Sequence, residues 1–462
     1  MKSIFALALS GALLFSSAAF AAEPESAQKT EPTTNTAPRG DQPAQQKTAR
    51  AAIGKGELLD LNTCVFLALG RHPSLAAARG TVAAGESRTG QAQANYFPQI
   101  SASGSYSRIK SAASASSGRN LSSDPFDQYT AGASLTQMIF DFGKTPAQVR
   151  IQGLSTDASR SDYDSVRDQI ILAVKQAYYG TLQAQKNLEA ANENVRSFEH
   201  HLEQARGFFE VGVKPKFDVT KAEVDLSNAR VNRLKAGNAL KISRITLNNA
   251  MGMPDAPEYS VRDDTAVVRQ ETALSEVLET AFKNRPDYLA STARMKAAEE
   301  SIGLAQKGYF PVISGNAAWN KTGEDYPRNE GWNAGVAVTV PIFSGFFTKH
   351  QVSEARAQFD VAQASREVLR QSIVLEVQSA YMNLVEARER IPAAELTVKQ
   401  AAENLEIANG RYAAGVGNPI EVTDAQVSYT SAKVTYNQAV YDYNVAYAAL
   451  QKASGIRYYA QE

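Results

Sequence analysis

Acidic side chains follow a glycine-containing turn near the C-terminus of the sequence. Glu421 comes three residues after Asn418 and two after Pro419, residues typical of the cap and first position of a helix. In that setting Glu421 completes a capping box, and acids in a first turn also complement the helix dipole. Asp424 follows one turn later. The spacing predicts a capped helix start and leaves open whether the two carboxylates also act on a charged solute.

No other group of reactive side chains forms a catalytic pattern. His200 and His201 are adjacent, so they face different sides of a helix, and no cysteine or histidine cluster accompanies them. The sequence lacks a nucleophile elbow, a phosphate loop and an HExxH zinc motif. We therefore expect no enzyme activity, no metal site and no cofactor.

The N-terminus indicates the compartment. Residues 1–21 combine Lys2, a short apolar run and a final Ala-Phe-Ala, which is typical of a secretory signal peptide. Residues 22–56 are rich in Pro, Thr, Gln and Ala, and we interpret them as a disordered leader. The only cysteine, Cys64, excludes an intramolecular disulfide. Removing the signal changes the net charge from 0 to near −1 by loss of Lys2, which argues against nucleic acid as a partner.

The rest of the sequence is duplicated. Landmarks of the first copy return 203 residues later (415 − 212), whereas earlier landmarks return after 213 (309 − 96). The matching positions are Gly212 and Gly415, Asp218 and Glu421, Gly252 and Gly455, Phe140 and Phe343, and Tyr96-Phe97-Pro98 and Tyr309-Phe310-Pro311. We predict one repeat over residues 57–252, a linker over 253–272, a second repeat over 273–455 and a tail over 456–462.

Each repeat predicts one very long helix, over about 145–209 and about 348–412. At ~1.5 Å per residue, each would reach roughly 100 Å. The second helix has apolar residues every seven positions, with alanine three positions after most of them, which indicates close-packed, left-handed supercoiling. This seam consists of Val377, Leu384, Ile391, Val398, Leu405 and Tyr412, and the corresponding first seam ends at Phe209. Each repeat also predicts one opening helix (about 61–95 and 273–308) and a shorter return helix, around a thin core.

Between the opening and long helices, each repeat changes to a period of two. Hairpins are predicted over about 99–140 and 312–343, with small polar residues on one face, as in a membrane β-barrel. A soluble hairpin with one buried face remains the alternative. Trp319 and Trp332 lie at the loop end of the second hairpin, and Phe140 and Phe343 lie at the opposite ends. Two aromatic belts ~25 Å apart favour a membrane-spanning sheet. Four strands cannot close a barrel, so several chains would share one.

Over residues 58–457 the sequence resembles the TolC-type outer-membrane efflux proteins. The resemblance depends on the duplicated element order, on Tyr-Phe-Pro before each hairpin, and on Arg-Tyr-Ala-Ala-Gly at 411–415 followed by Ile-Glu-Val-Thr-Asp-Ala at 420–425. It implies a mainly α fold with a β-hairpin pair. Three chains would form a twelve-stranded outer-membrane β-barrel that continues into a long periplasmic α-helical coiled-coil barrel. Residues 253–272 would belong to an equatorial region around it.

The resemblance also implies roles for the helix tips. Gly212, Val213, Gly415 and Val416 would dock a periplasmic adaptor protein. Glu421 and Asp424 would line an acidic pore entrance, while Asp218 and Tyr412 would tie neighbouring helices shut. A member of that family has an arginine where this sequence has Gly417, which leaves that link in question; Lys214 or Lys216 could substitute for it.

The function implied is an exit duct of a tripartite efflux or type I secretion system. Substrate would arrive from an inner-membrane pump through the adaptor and pass the outer-membrane lipid passively. A non-conducting periplasmic coiled-coil scaffold is the alternative, which the long helices also fit. The sequence names neither the cargo, whether drug, metal ion, solvent or protein, nor the pump family.

Overall fold

The computed structural model describes residues 53–110, 125–263 and 273–456. The first repeat consists of β1 (Leu58–Leu59), α1 (Leu61–Arg71), α2 (Pro73–Gln93), β2 (Gln99–Ile109), β3 (Phe126–Phe140), α3 (Lys144–Glu210) and α4 (Lys216–Ala250). After β4 (Ser260–Val261), the second consists of α5 (Leu274–Asn284), α6 (Pro286–Gln306), β5 (Val312–Gly323), β6 (Asn329–Thr339), α7 (Phe347–Ala413) and α8 (Pro419–Ser454). The predicted signal peptide and residues 22–52 of the predicted leader lie outside the described residues. The leader was predicted to reach residue 56, and this is wrong for its end: Ile53 is buried in the core, and the Gly56 N–H donates to the carbonyl oxygen of Glu258. Among the described helices, none has the length and apolar character that crossing a membrane requires.

The two long helices are confirmed. Both α3 and α7 contain 67 residues, so each extends roughly 100 Å at ~1.5 Å per residue. In the half of the long helices nearer the C-terminal ends of α3 and α7, the order is α4, α3, α8, α7, because α3 packs along both α4 and α8, and α8 packs along α7. In the other half, α3 packs along α2 and α6, and α6 packs along α7. The outer faces of α4 and α7 are therefore the two open edges of this layer.

The single opening helix predicted for each repeat is wrong. Each opening segment forms two helices, which meet at His72-Pro73 in the first repeat and at Arg285-Pro286 in the second. A residue before proline is forced out of the helical region by the proline ring. His72 accordingly adopts ψ 126° and Arg285 ψ 124°. The two prolines recur 213 residues apart (286 − 73), a signal that the sequence contained.

The four long strands form one antiparallel sheet in the order β2-β3-β5-β6. Trp319 pairs with Trp332, and Ala133 of β3 lies opposite Trp319 on the other side. Residues two positions apart share a face of the sheet, so this register gathers the apolar side chains on one face and Ser, Thr and Asn on the other. The predicted alternation is confirmed. The outer edges of β2 and β6 have no strand partner within the described residues.

The seam between the long and return helices is confirmed with one correction. Val377, Ala380, Leu384 and Ala387 of α7 are buried as predicted. Phe209, predicted as the last seam residue of α3, is 44% exposed. Its neighbour Phe208 lies on the inner side instead. The reason is that the end of α3 packs against the second repeat rather than only against α4, and Phe208 contacts Tyr412 there with ring centroids 5.7 Å apart.

The core is thicker in one place than the sequence indicated. A large cluster of buried residues gathers where α1, the parallel pair β1–β4 and the middle of α3 meet. Its fully buried members include Leu59, Cys64, Val174 and Leu247. This cluster joins residues from both ends of the first repeat, so its existence depends on tertiary contacts that periodicity along one helix does not reveal.

Candidate functional site at the helix tips

Two tight turns lie side by side at one end of the long helices. The first tip (residues 211–215) joins α3 to α4, and the second tip (residues 414–418) joins α7 to α8. Gly212 and Gly415 adopt left-handed backbone angles, with φ 76° and 78°, that glycine tolerates without a Cβ clash. Val213 and Val416 project from these turns and are 59% and 73% exposed. The tips therefore present apolar side chains beyond the ends of the helices.

Gly417 packs directly on the end of α7. Its N–H donates to the carbonyl oxygen of Arg411 at 2.9 Å. A Cβ at this position would lie 2.7 Å from the Tyr412 nitrogen and 2.9 Å from the Arg411 carbonyl carbon. Both are backbone atoms, so they cannot rotate away. The turn therefore requires glycine here, and an arginine at this position would force the backbone of the second tip to move.

Lys214 connects the two tips. Its Nζ donates to the carbonyl oxygen of Gly417 at 3.1 Å and lies 5.5 Å from the centroid of the Tyr412 ring. Lys216 is exposed and begins α4. Of the two lysines that the sequence offered as substitutes for the family's arginine, Lys214 is the one placed at the junction.

Tyr412 lies in the contact between the repeats near the tips. It is completely buried, packs against Phe208 and His201, and its hydroxyl has no hydrogen-bond partner within the described residues. Burial raises the pKa of the Tyr412 phenol, and the negative charge of Asp218 raises it further. Asp218 is itself only 4% exposed. The structure therefore brings Tyr412 and Asp218 close together but forms no hydrogen bond between them.

Glu421 and Asp424 both face solvent on the first turns of α8. The Glu421 carboxylate accepts from Arg411 Nε at 3.3 Å. The helix start is capped by Asn418 alone, whose Oδ1 accepts from the Ile420 N–H at 2.9 Å. The capping box suggested by the sequence is thus not formed, because the Glu421 side chain turns toward Arg411. Its carboxylate, with that of Asp424, is accessible to a solute.

Several residues that join the repeats were not found from the sequence. Asp225 of α4 is bound by Lys221 at 2.6 Å and by the Thr423 hydroxyl of α8 at 2.8 Å. Further along, Asn194 of α3 accepts from Gln426 and Thr430 of α8 at 2.9 and 3.0 Å. The sequence contained one indication of these contacts, a difference between the two copies: position 225 is an aspartate, whereas its counterpart, position 428, is a serine.

The aromatic residues lie where the sequence placed them. Trp319 and Trp332 are cross-strand neighbours close to the loop that joins β5 and β6, and Trp332 is exposed. At the other end of the sheet, Phe140 packs against Phe142 with ring centroids 4.7 Å apart, and Phe343 lies beside the start of α7. Within residues 53–110, 125–263 and 273–456, no group of three or more His, Cys, Asp or Glu residues is arranged to hold a metal ion.

Known proteins share sequence similarity with this chain. The family model "Outer membrane efflux protein" matches residues 65–253 and 277–456, which is more than half of the chain. The outer membrane protein TolC of Vibrio cholerae is 25% identical over 314 residues, covering 65% of this chain and 70% of that protein. Protein CyaE of Bordetella pertussis is 25% identical over 375 residues, covering 80% and 78%.

The fold matches solved channels as well. The crystal structure of the Campylobacter jejuni CmeC outer membrane channel superposes with a TM-score of 0.76 at 21% identity, covering 86% of this chain and 85% of CmeC. By their names, TolC is an outer membrane protein and CmeC is an outer membrane channel. The chain belongs to the outer membrane efflux protein family, and it is an outer-membrane protein that extends into the periplasm.

Proposed function

We propose that the protein is the outer-membrane exit duct of a tripartite efflux or type I secretion system, and that it conducts substrate passively. A periplasmic adaptor and an inner-membrane pump would deliver the substrate and supply the energy. The observation that carries this proposal is that the chain has two open edges of matching character, so that copies of it close into a ring with a central passage.

The first open edge is an apolar stripe on α7. Val361, Val368, Leu375 and Met382 follow one another at seven-residue spacing, Leu396 follows two heptads later, and all are 55–67% exposed. They share one face of α7, and Leu375 and Met382 each lie two residues before a buried seam residue, Val377 and Leu384. A heptad stripe of large apolar residues is typical of a helix that packs along another helix. Within the chain, nothing covers it among the described residues.

The second open edge is an apolar stripe on α4, which runs antiparallel to α7. Val224, Leu234 and Ile245 are exposed and lie 8, 18 and 29 residues after Lys216, where α4 begins at the tips. On α7, Ile407, Leu396 and Met382 lie 6, 17 and 31 residues before its end at Ala413. At ~1.5 Å per residue, each pair lies within roughly 3 Å of the same height. The α7 edge of one copy therefore fits the α4 edge of the next.

The sheet also has two open edges. No described strand of the chain pairs with the outer edge of β2 or of β6, and backbone groups at such edges cannot remain unsatisfied in lipid. We propose that β6 of one copy pairs with β2 of the next in a homotrimer, which gives the twelve-stranded barrel that the TolC-type resemblance implies. Trp319 and Trp332 would lie at one membrane interface, and Phe140 and Phe343 at the other.

At the other end, the tips would form the entrance. Val213 and Val416, held out by Gly212 and Gly415, would dock the adaptor. Glu421 and Asp424 would bring six carboxylates of three chains to one constriction and attract cations. Lys214 and Tyr412, with Asp218 beside them, would hold the entrance closed.

Crosslinking in native membranes tests the ring. A three-chain species is expected, and Met382→Glu should lower its yield at least about tenfold, because an unpaired charge buried in an interface costs several kcal/mol. Asn383→Glu is the matched control, since Asn383 is the next residue, is also exposed and lies off the stripe. Equal losses from both variants, or a stable monomer in lipid, would contradict the ring. Channel openings in planar bilayers separate a duct from a non-conducting scaffold, which would give none.

A further inference from the structure

His201 occupies an unusual position for a titratable side chain. It lies on α3 at the junction with the second repeat, is only 4% exposed, and its ring centroid is 4.8 Å from that of Tyr412. Its Nδ1 and the Tyr412 hydroxyl are both buried without a hydrogen-bond partner within the described residues. A cavity of about 370 Å³ adjoins it, bounded also by Asn409 and Gln426. A buried polar atom without a hydrogen-bond partner destabilises the contact, and a conformation in which water reaches the atom removes that cost.

Titratable groups of three helices lie around His201. Asp218, Lys221 and Asp225 face it from α4, and the Tyr412 phenol faces it from α7. On its own helix, Glu193, Arg196 and His200 border the same cavity, whereas α8 contributes the uncharged Gln426. Lys214 already places one cation over the Tyr412 ring. A second cation on the adjacent imidazole would therefore lie on an almost fully buried side chain, beside a ring that already has a cation over it.

We propose that His201 is a proton-sensitive latch: when its imidazole takes up a proton, the contact between α3 and α7 at the tips loosens and the entrance opens. This inference rests on the proposed duct function, since it names the regulation of that same entrance. No covalent bond changes. The imidazole gains one proton from the periplasm and becomes a cation that is better hydrated in an open entrance than buried against Tyr412.

The direction of the pH effect follows from burial. Burial lowers the pKa of His201, and the charges of Asp225 and Asp218 oppose this only in part. In an open, hydrated entrance the imidazole returns toward its ordinary value of about 6.5. Between the two values the open form binds more protons than the closed form, so acidification favours opening. A difference of one pKa unit between the two forms changes the open-to-closed ratio about tenfold.

Planar bilayers containing the full-length assembly test the latch. As the pH on the tip side falls from about 7.5 to about 5.5, the range in which histidine titrates, the open probability of the wild-type channel should rise severalfold. His201→Phe keeps an aromatic ring against Tyr412 but cannot take up a proton, so its open probability should stay constant. His200→Phe is the control, because His200 is the next residue and is exposed. It should keep the wild-type response.

A second measurement does not depend on conduction. The pH dependence of C2–H exchange at His201, followed by mass spectrometry, should give a midpoint below the ordinary histidine value, and Lys214→Met should move that midpoint upward. Full pH dependence in His201→Phe, no pH dependence in the wild type, or an exchange midpoint at or above the ordinary value would overturn the latch while leaving the duct intact. A wild type that conducts at no pH would instead overturn the duct and, with it, the latch.

Discussion

The first and second tips occupy equivalent positions in the two repeats, yet the residues with which they meet differ. Lys214 and Gly417 are counterparts 203 residues apart (417 − 214), and the side chain of one bonds to the backbone of the other. Phe209 and Tyr412 are also counterparts, but Phe209 is exposed and Tyr412 is completely buried. Duplication thus supplies two similar backbones. Because a few side chains have diverged, the two tips contact each other through different residues.

The acids of the two tips differ in the same way. Asp218 is buried against the second repeat, while its counterpart Glu421 faces solvent beside Arg411. Lys221 binds Asp225, while its counterpart Asp424 is exposed. Asp218 and Asp225 therefore stabilise the fold, whereas Glu421 and Asp424 are exposed to a passing ion.

The largest effect is expected at Asp225. Asp225→Ala removes the partner of Lys221 and of the Thr423 hydroxyl, and it should lower the local unfolding free energy of the tips by about 2–3 kcal/mol. Hydrogen exchange of the tip amides measures this. Ser428→Ala, at the exposed counterpart position, should stay within about 0.5 kcal/mol of wild type. Similar losses from both would show that the two return helices are equivalent after all.

The next effect is expected at Gly417. Gly417→Ala places a Cβ 2.7 Å from the Tyr412 nitrogen, so the second tip must shift, at a cost of about 1–3 kcal/mol. Channel conductance should increase, because the shifted second tip loses the hydrogen bond that the Lys214 side chain donates to the Gly417 carbonyl oxygen. Gly410→Ala is the control: a Cβ there meets open space, and removing a helical glycine stabilises by about 0.5–1 kcal/mol. If the Gly417→Ala channel has the same conductance as the Gly410→Ala control, close packing at Gly417 does not keep the entrance closed.

A smaller effect is expected at Lys214. Lys214→Met removes the hydrogen bond to Gly417 and the cation above Tyr412 while keeping an unbranched apolar chain, which should cost about 1 kcal/mol. In bilayers, the open probability should rise severalfold. Lys216→Met changes the charge of the same tip by the same amount at an exposed position. If both lysine variants open the channel equally, total charge rather than the contact between the tips controls the entrance.

The smallest effect on stability is expected at Glu421. Its ion pair with Arg411 is half exposed, so Glu421→Ala should lower the unfolding free energy by less than about 1 kcal/mol. Asp218→Ala, the buried counterpart, should cost more, because it removes an acid from the contact around Tyr412. Hydrogen exchange at the starts of α4 and α8 compares the two, and an equal or larger loss at Glu421 would contradict the separation of roles.

The sequence was sufficient for features that repeat along one element. Heptads predicted α3 and α7 almost to the residue, and period two predicted the strands and their apolar face. It was insufficient where different parts of the chain meet. Phe209 was placed on the seam because it lies seven residues after Leu202 and matches Tyr412. It is exposed instead, because the neighbouring Phe208 packs against the second repeat at Tyr412. The break at Pro73 was missed because helical periodicity continues on both sides of it.

Some residues of the proposed entrance could be predicted from the sequence, and others could not. Glu421, Asp424 and the tip glycines were visible as motifs, whereas the contact of Lys214 with Gly417 is set by two turns 203 residues apart (417 − 214). His201 was set aside as half of an adjacent histidine pair. Its importance depends on burial against Tyr412, which a single sequence cannot reveal.

Single-channel recording of the purified protein in planar bilayers tests the central claim most directly. If copies of this chain form a duct whose entrance is nearly closed and lined by Glu421 and Asp424, the wild type will show low conductance, preference for cations and block by multivalent cations added on the tip side. Replacing both acids by alanine will weaken the selectivity and the block and leave the trimer yield nearly unchanged. A wild type that never conducts, or a double variant that selects and blocks as the wild type does, would contradict it.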